Sequence, residues 1–244
     1  MTSSPSDHPA EPFEWKGRAG PFTLELTPPV FRPTHISLAL AESLEVHPGE
    51  TVVDVGCGSG VLSFVAAKLG AGRIYGSDIS EESVRVATEN ARLLGLADRT
   101  EFRAGSLFEP LRDVTADVII GDVSGIPDDL AEVSGWFPGG YAGGPTGAEV
   151  PVAMLESMGD CLRRGGRMYL PTATIQDENS VLAAARRIFG AANLAEVVER
   201  EFPLPTLVAR SKAVARLMTE GLIALRQRGS RMLWRLAIWR CIRP

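Results

Sequence analysis

Residues 51–80 read TVVDVGCGSGVLSFVAAKLGAGRIYGSDIS, and three local patterns follow one another inside them. Thr51–Val55 is a β-branched run of the kind that fills a strand buried on both faces. Gly56-Cys57-Gly58-Ser59-Gly60 is a glycine turn whose backbone N–H groups can approach a ligand with no side chain in the way. Val61–Leu69 has helical spacing and stops at Gly70, and Ile74-Tyr75-Gly76-Ser77-Asp78 is a second strand closed by an acid. A carboxylate therefore stands near the end of each strand, Asp54 at the first and Asp78 at the second. In an open α/β sheet the carboxyl edge of the strands is where ligands bind.

The same rhythm continues outward. Ser80-Glu81-Glu82 caps a helix running to Leu94, and strands are expected at Thr100–Ala104 and Ala116–Ile120. After a helix over about 147–162, further strands are expected at 167–170, 195–202 and 232–241, with helices near 178–189 and 207–226. Strands alternating with helices at this spacing predict an α/β fold, a Rossmann-like and mostly parallel seven-stranded sheet with helices on both faces. Upstream, Phe22–Leu26 alternates as a short strand, and Ile36, Leu40 and Leu44 recur at helical spacing until Pro48-Gly49. Residues 1–20, rich in Ser, Pro, Asp and Glu, read as a flexible arm, and residues 21–244 as a single domain. Two stretches break the rhythm: a glycine-rich loop at about 121–147 and a helical insertion at about 204–229.

Composition narrows the function. The 244 residues are 45% hydrophobic and 23% charged, which suits a soluble globule with a real core. A net charge of −5 gives no support to a nucleic-acid binder, although from Arg210 onward nine basic residues meet a single acid, Glu220. Cys57, Cys161 and Cys241 form no CxxC pair, and with only His8, His35 and His47 they offer no metal-ligand spacing. No apolar run is long enough for a membrane span, and the acidic, proline-rich start is unlike a signal peptide. A reduced, cytoplasmic setting follows, with no membrane and no nucleic acid as partner and a possible homodimer through the basic segment.

The quoted block resembles the nucleotide-binding half of the class I S-adenosylmethionine-dependent methyltransferases. The resemblance implies S-adenosyl-L-methionine as cofactor and an antiparallel last strand. Asp54 would lie near the methionine amino group, with Gly56, Cys57, Gly58 and Gly60 forming the cradle. Asp78 would bind the ribose hydroxyls and Ile79 would sit beside the adenine. Val30-Phe31-Arg32-Pro33-Thr34 and Gly105-Ser106-Leu107-Phe108-Glu109-Pro110 resemble the subgroup that methylates protein glutamine (release factor) side chains, which adds Ser106 and Leu107 to the cofactor contacts. Ser106 stands where that subgroup carries an aspartate.

The departure lies at the end of the fourth strand. Asp122-Val123-Ser124-Gly125 occupies the place of the subgroup's Asn-Pro-Pro-Tyr, the grip on planar nitrogen acceptors, so glutamine, adenine and cytosine become poor acceptors. Asp122 is the candidate catalytic residue, placed to orient or deprotonate an acceptor or to hold the cofactor's ammonium; capping of the next turn is the plainer alternative. Phe31, Arg32, Ser124, Trp136, Phe137 and Tyr141 are the candidate substrate contacts, the last three as lid aromatics. The expected reaction is methyl transfer to a small-molecule acceptor at nitrogen. The alternatives are cyclisation of S-adenosylmethionine itself to an azetidine with release of methylthioadenosine, methylation of a protein side chain, and a non-catalytic binding module.

Overall fold

The computed structural model describes residues 10–136 and 142–244. In chain order the elements are β1 (Glu11–Trp15), β2 (Phe22–Leu26), α1 (His35–Ser43), β3 (Thr51–Val55), α2 (Val61–Leu69), β4 (Arg73–Asp78), α3 (Glu81–Leu93), β5 (Thr100–Ala104) and β6 (Ala116–Gly121). There follow α4 (Asp128–Ser134), α5 (Glu149–Ser157), β7 (Leu162–Ala173), α6 (Glu178–Phe189), β8 (Leu194–Pro203), α7 (Thr206–Ala209), α8 (Lys212–Thr219), β9 (Arg226–Arg228) and β10 (Arg231–Ile242).

The main sheet runs β5-β4-β3-β6-β7-β10-β8, with the short β9 added to β10. From β5 to β7 every pairing is parallel, and β10 is antiparallel to both β7 and β8. This is the α/β sheet that the strand–helix rhythm predicts, with its antiparallel last strand. Side-chain alternation divides the interior into two cores. Val52, Ile74, Val118, Ile120 and Tyr169 face one side with α1, α2 and the β1–β2 hairpin. Val53, Val55, Ile119, Met168 and Leu170 face the other with α5 and α6.

Three segments differ from the sequence expectation. Residues 11–15 are not part of an unstructured arm: β1 pairs antiparallel with β2, and Trp15 is 2% exposed. The apolar alternation of Phe13 and Trp15 is short enough to be hidden by the prolines and acids around it. The insertion is not one helix, because the Ser211 hydroxyl caps α8 by accepting from Val214 N, and Gly221 ends it at φ +71°. The glycine-rich loop holds a helix of its own, α4, closed by Gly135 at φ +66°. The two irregular regions pack together: Leu130 and Ala131 of α4 share a core with Val208, Val214 and Leu217, and Arg216 pairs with Asp129 at 2.7 Å. Among the described residues no helix is long and apolar enough to cross a membrane.

Candidate functional site

Chain order along the sheet reverses at β3, which has β4 on one side and β6 on the other. Such a switch point opens a crevice at the carboxyl ends of the strands. The glycine turn, Asp78 and Asp122 all stand on this edge. Gly56 N and Cys57 N both donate to Ser77 O, at 2.8 and 3.0 Å, tying the turn to β4. Gly56, Gly58 and Gly60 have φ of +79°, +52° and +85°. Their surroundings differ. A methyl group at Gly56 would lie 2.6 Å from the Asp122 carbonyl oxygen and one at Gly60 2.6 Å from the Phe64 ring, whereas nothing lies within 4 Å of one at Gly58.

That contrast gives a measurable split. Gly56→Ala is expected to cost about 3 kcal/mol in urea unfolding, since a left-handed alanine also meets backbone. Gly58→Ala carries only the conformational cost of about 1 kcal/mol, while weakening S-adenosylmethionine binding by an order of magnitude or more in calorimetry. Equal stability losses with unchanged affinity would show that the turn has no ligand-facing side.

Three aspartates line the crevice. Asp54 is buried; one oxygen accepts from Ser63 Oγ at 2.7 Å and the other, Oδ1, has no partner. Burial, with the nearby Asp78 charge adding to it, pushes its pKa up to about 6. Asp78 accepts from Gly58 N and Ser80 N, each at 2.9 Å. Burial holds its carboxyl above the usual range even against those bonds. Asp122 is raised furthest, to about 7, by burial and then by the charge on Asp54, with the Ser37 hydroxyl opposing. The residue is half-buried. It lines the crevice, so its exposed atoms face that recess and solvate the charge poorly.

The crevice has a volume of about 600 Å³. Of the candidates, Phe31, Asp54, Gly56, Cys57, Gly58, Asp78, Ile79, Ser106, Leu107, Asp122 and Ser124 line it. Gly60 sits just behind as the N-cap of α2. Arg32 instead pairs with Glu11 at 3.2 Å and lies over the Phe13 ring, and Trp136 packs on the core without lining the crevice. Phe137 and Tyr141 lie outside the described residues. Ser59 of the glycine turn joins the lining, as do Ser37 and Gln176, which no sequence pattern singles out. Four buried polar atoms without a partner, Asp54 Oδ1, Ser59 Oγ, Ser124 Oγ and Gln176 Nε2, belong to residues that line this one crevice. Such atoms are costly unless a ligand or solvent meets them.

Residues 31–127 match the family model described as ribosomal protein L11 methyltransferase (PrmA). A ribosomal protein L11 methyltransferase of Syntrophomonas wolfei is 42% identical over 79 residues, covering 32% of this chain and 26% of that protein. A release factor glutamine methyltransferase of Moorella thermoacetica is 32% identical over 146 residues, 57% of this chain and 52% of that protein. The chain thus spans about a quarter to a half of the length of these relatives. Among solved structures, a ribosomal protein L11 methylase of Lactobacillus delbrueckii superposes with a TM-score of 0.55 at 19% identity, over 90% of this chain and 84% of that one. The 16S rRNA N2 G1207 methyltransferase of T. thermophilus does so with 0.61 at 16% identity, over 100% and 53%. These structures share the fold. The expectation of a small-molecule partner is corrected here, because the sequence relatives are named for protein substrates. Loss of Asn-Pro-Pro-Tyr speaks only to the chemistry around the reacting atom; the size of the molecule that carries it is a separate matter.

Proposed function

The chain belongs to the class I S-adenosylmethionine-dependent methyltransferases, and on that premise we propose that it methylates a nitrogen on a protein side chain. The observation that supports this most is the set of unpartnered polar atoms around one crevice. Asp54 Oδ1 and Ser59 Oγ, both lining the crevice with the open Gly58, fit the cationic and hydroxyl-rich cofactor. Asp54 would hold its ammonium, and Asp78 retains lone pairs for the ribose hydroxyls beyond the two N–H groups it already accepts. Ile79, 59% exposed at the rim, offers an apolar surface to the adenine. When bound, S-adenosylmethionine supplies a methyl group on a positively charged sulfur.

The protein's own contribution is alignment and proton handling. Asp122, poised near neutrality, accepts the hydrogen of the incoming nitrogen and takes its proton as the nitrogen gains carbon. The surrounding apolar wall keeps water from the reacting atoms.

The test is to incubate the pure protein with labelled S-adenosylmethionine, with and without purified ribosomal protein L11 and release factor. Label in a protein acceptor, with adenosylhomocysteine forming only in its presence, is the expected outcome. Methylthioadenosine released from the cofactor alone would overturn the reading in favour of cyclisation.

A further inference from the structure

We propose that Gln176 and Ser124 form the acceptor-binding clamp, and that the group they hold is a carbonyl oxygen adjacent to the methylated nitrogen, as in a side-chain carboxamide. This rests on the protein N-methylation reading above and names the chemistry that the site selects.

Gln176 follows β7 and is 5% exposed, yet its Nε2 has no hydrogen-bond partner. The residue is not loosely held. Its N–H donates to Ala173 O at 3.1 Å, its carbonyl accepts from Glu178 N at 2.7 Å, and the next residue's N–H donates to Thr146 O at 3.0 Å. The side-chain amide lies against the loop after β6, where a methyl at Gly125 would run into Gln176 Oε1. Ser124, one residue earlier in that loop, also carries a buried hydroxyl with no partner. Two orphaned hydrogen-bonding groups from adjoining loops thus line the crevice that Asp122 also lines.

Their donor–acceptor character selects the ligand. An amide NH₂ only donates, so Gln176 Nε2 needs an oxygen or another acceptor from the substrate. A lysine ammonium brings three donors and no acceptor, leaving Nε2 buried and unpaired. A carboxamide brings both: its oxygen accepts from Gln176 Nε2 and Ser124 Oγ, and its N–H donates to Asp122. The amide that is absent from the loop after β6, where Asp122 stands, is thereby supplied from the loop after β7, which reverses the sequence expectation that glutamine is a poor acceptor. Gly125 has no side chain to interrupt this meeting.

The experiment uses the full chain, S-adenosylmethionine, and blocked peptides identical except for Gln, Asn or Lys at one central position. Methylation of the Gln or Asn side chain with little on Lys is expected. Gln176→Glu, close in shape but without the donor, should lower kcat/KM on the carboxamide peptide by roughly 10- to 100-fold, chiefly through KM. S-adenosylmethionine affinity should stay within about twofold of the parent's, since the clamp lies on the acceptor side. Gln176→Met repeats the test without a new charge, and Ser124→Ala should give a loss of roughly tenfold. Preferred methylation of lysine, or Gln176 and Ser124 variants that retain parental kcat/KM, would overturn the clamp while leaving protein N-methylation standing. Cofactor binding with no methylation of any peptide or protein would instead count against the broader reading on which the clamp rests.

Discussion

Asp122→Asn is expected to be more stable than the parent above pH 7 and to transfer methyl groups at least 100-fold more slowly. The stability sign follows from the raised carboxyl. Its folded pKa of about 7 lies above the ordinary value of 3.8, so between about pH 4 and pH 7 the folded state binds more protons than the unfolded one. Stability therefore falls as pH rises through that window and levels off above it. An amide removes the buried charge, and a gain of about 2 kcal/mol at pH 8 is expected, discounted because solvent reaches the recess. Below about pH 4 the two proteins should melt alike. Thermal unfolding from pH 4 to 8, together with single-turnover methylation, checks both halves. An advantage that persists at pH 4, or an unchanged rate, would remove Asp122 from its place as proton acceptor.

Asp78→Ala should raise the dissociation constant for S-adenosylmethionine on the order of 100-fold, which corresponds to two charge-assisted hydrogen bonds lost. The carboxylate organises the cradle as well as facing it, because it accepts from Gly58 N and Ser80 N. Some loss of stability, about 1–2 kcal/mol, accompanies the affinity loss. Asp78→Asn separates the two, since its carbonyl retains one backbone bond while its NH₂ opposes another. Isothermal titration on both variants gives the answer; unchanged affinity in the alanine variant would withdraw the ribose assignment.

How much of this was legible depended on range. The sheet from β3 to β6 was open to reading because each strand is a short β-branched run and each turn carries its own glycine or acid. The carboxylates of the crevice were legible for the same reason: strand ends at a switch point are a place that local pattern defines. Gln176 was not, since a polar residue in a loop looks the same whether it faces water or a cavity. Ser37 was hidden inside an ordinary helix cap, where it also serves Thr34 N. Arg32 was read from its neighbours in sequence, but tertiary structure gave it Glu11, a residue assigned to the arm. The hairpin itself depends on contacts such as Asn90, whose amide accepts from Glu25 N at 2.8 Å and donates to Glu25 O and Ser59 O. Pairings 65 residues apart leave no periodic trace.

The place of β10 between β7 and β8 bears on how the molecule is assembled. During synthesis β8 emerges with no neighbour to join, because the strand that separates it from β7 comes only after residues 204–230. Until then β7 presents an open edge, and such an intermediate is prone to pair with other chains. The α7–α8 segment lies within that delayed stretch, so its packing against α4 and the last rung of the sheet are completed in one late event. Leu236 of β10 lines the crevice, so its wall is finished only with that event, and nascent chains stalled before residue 231 should depend on chaperones.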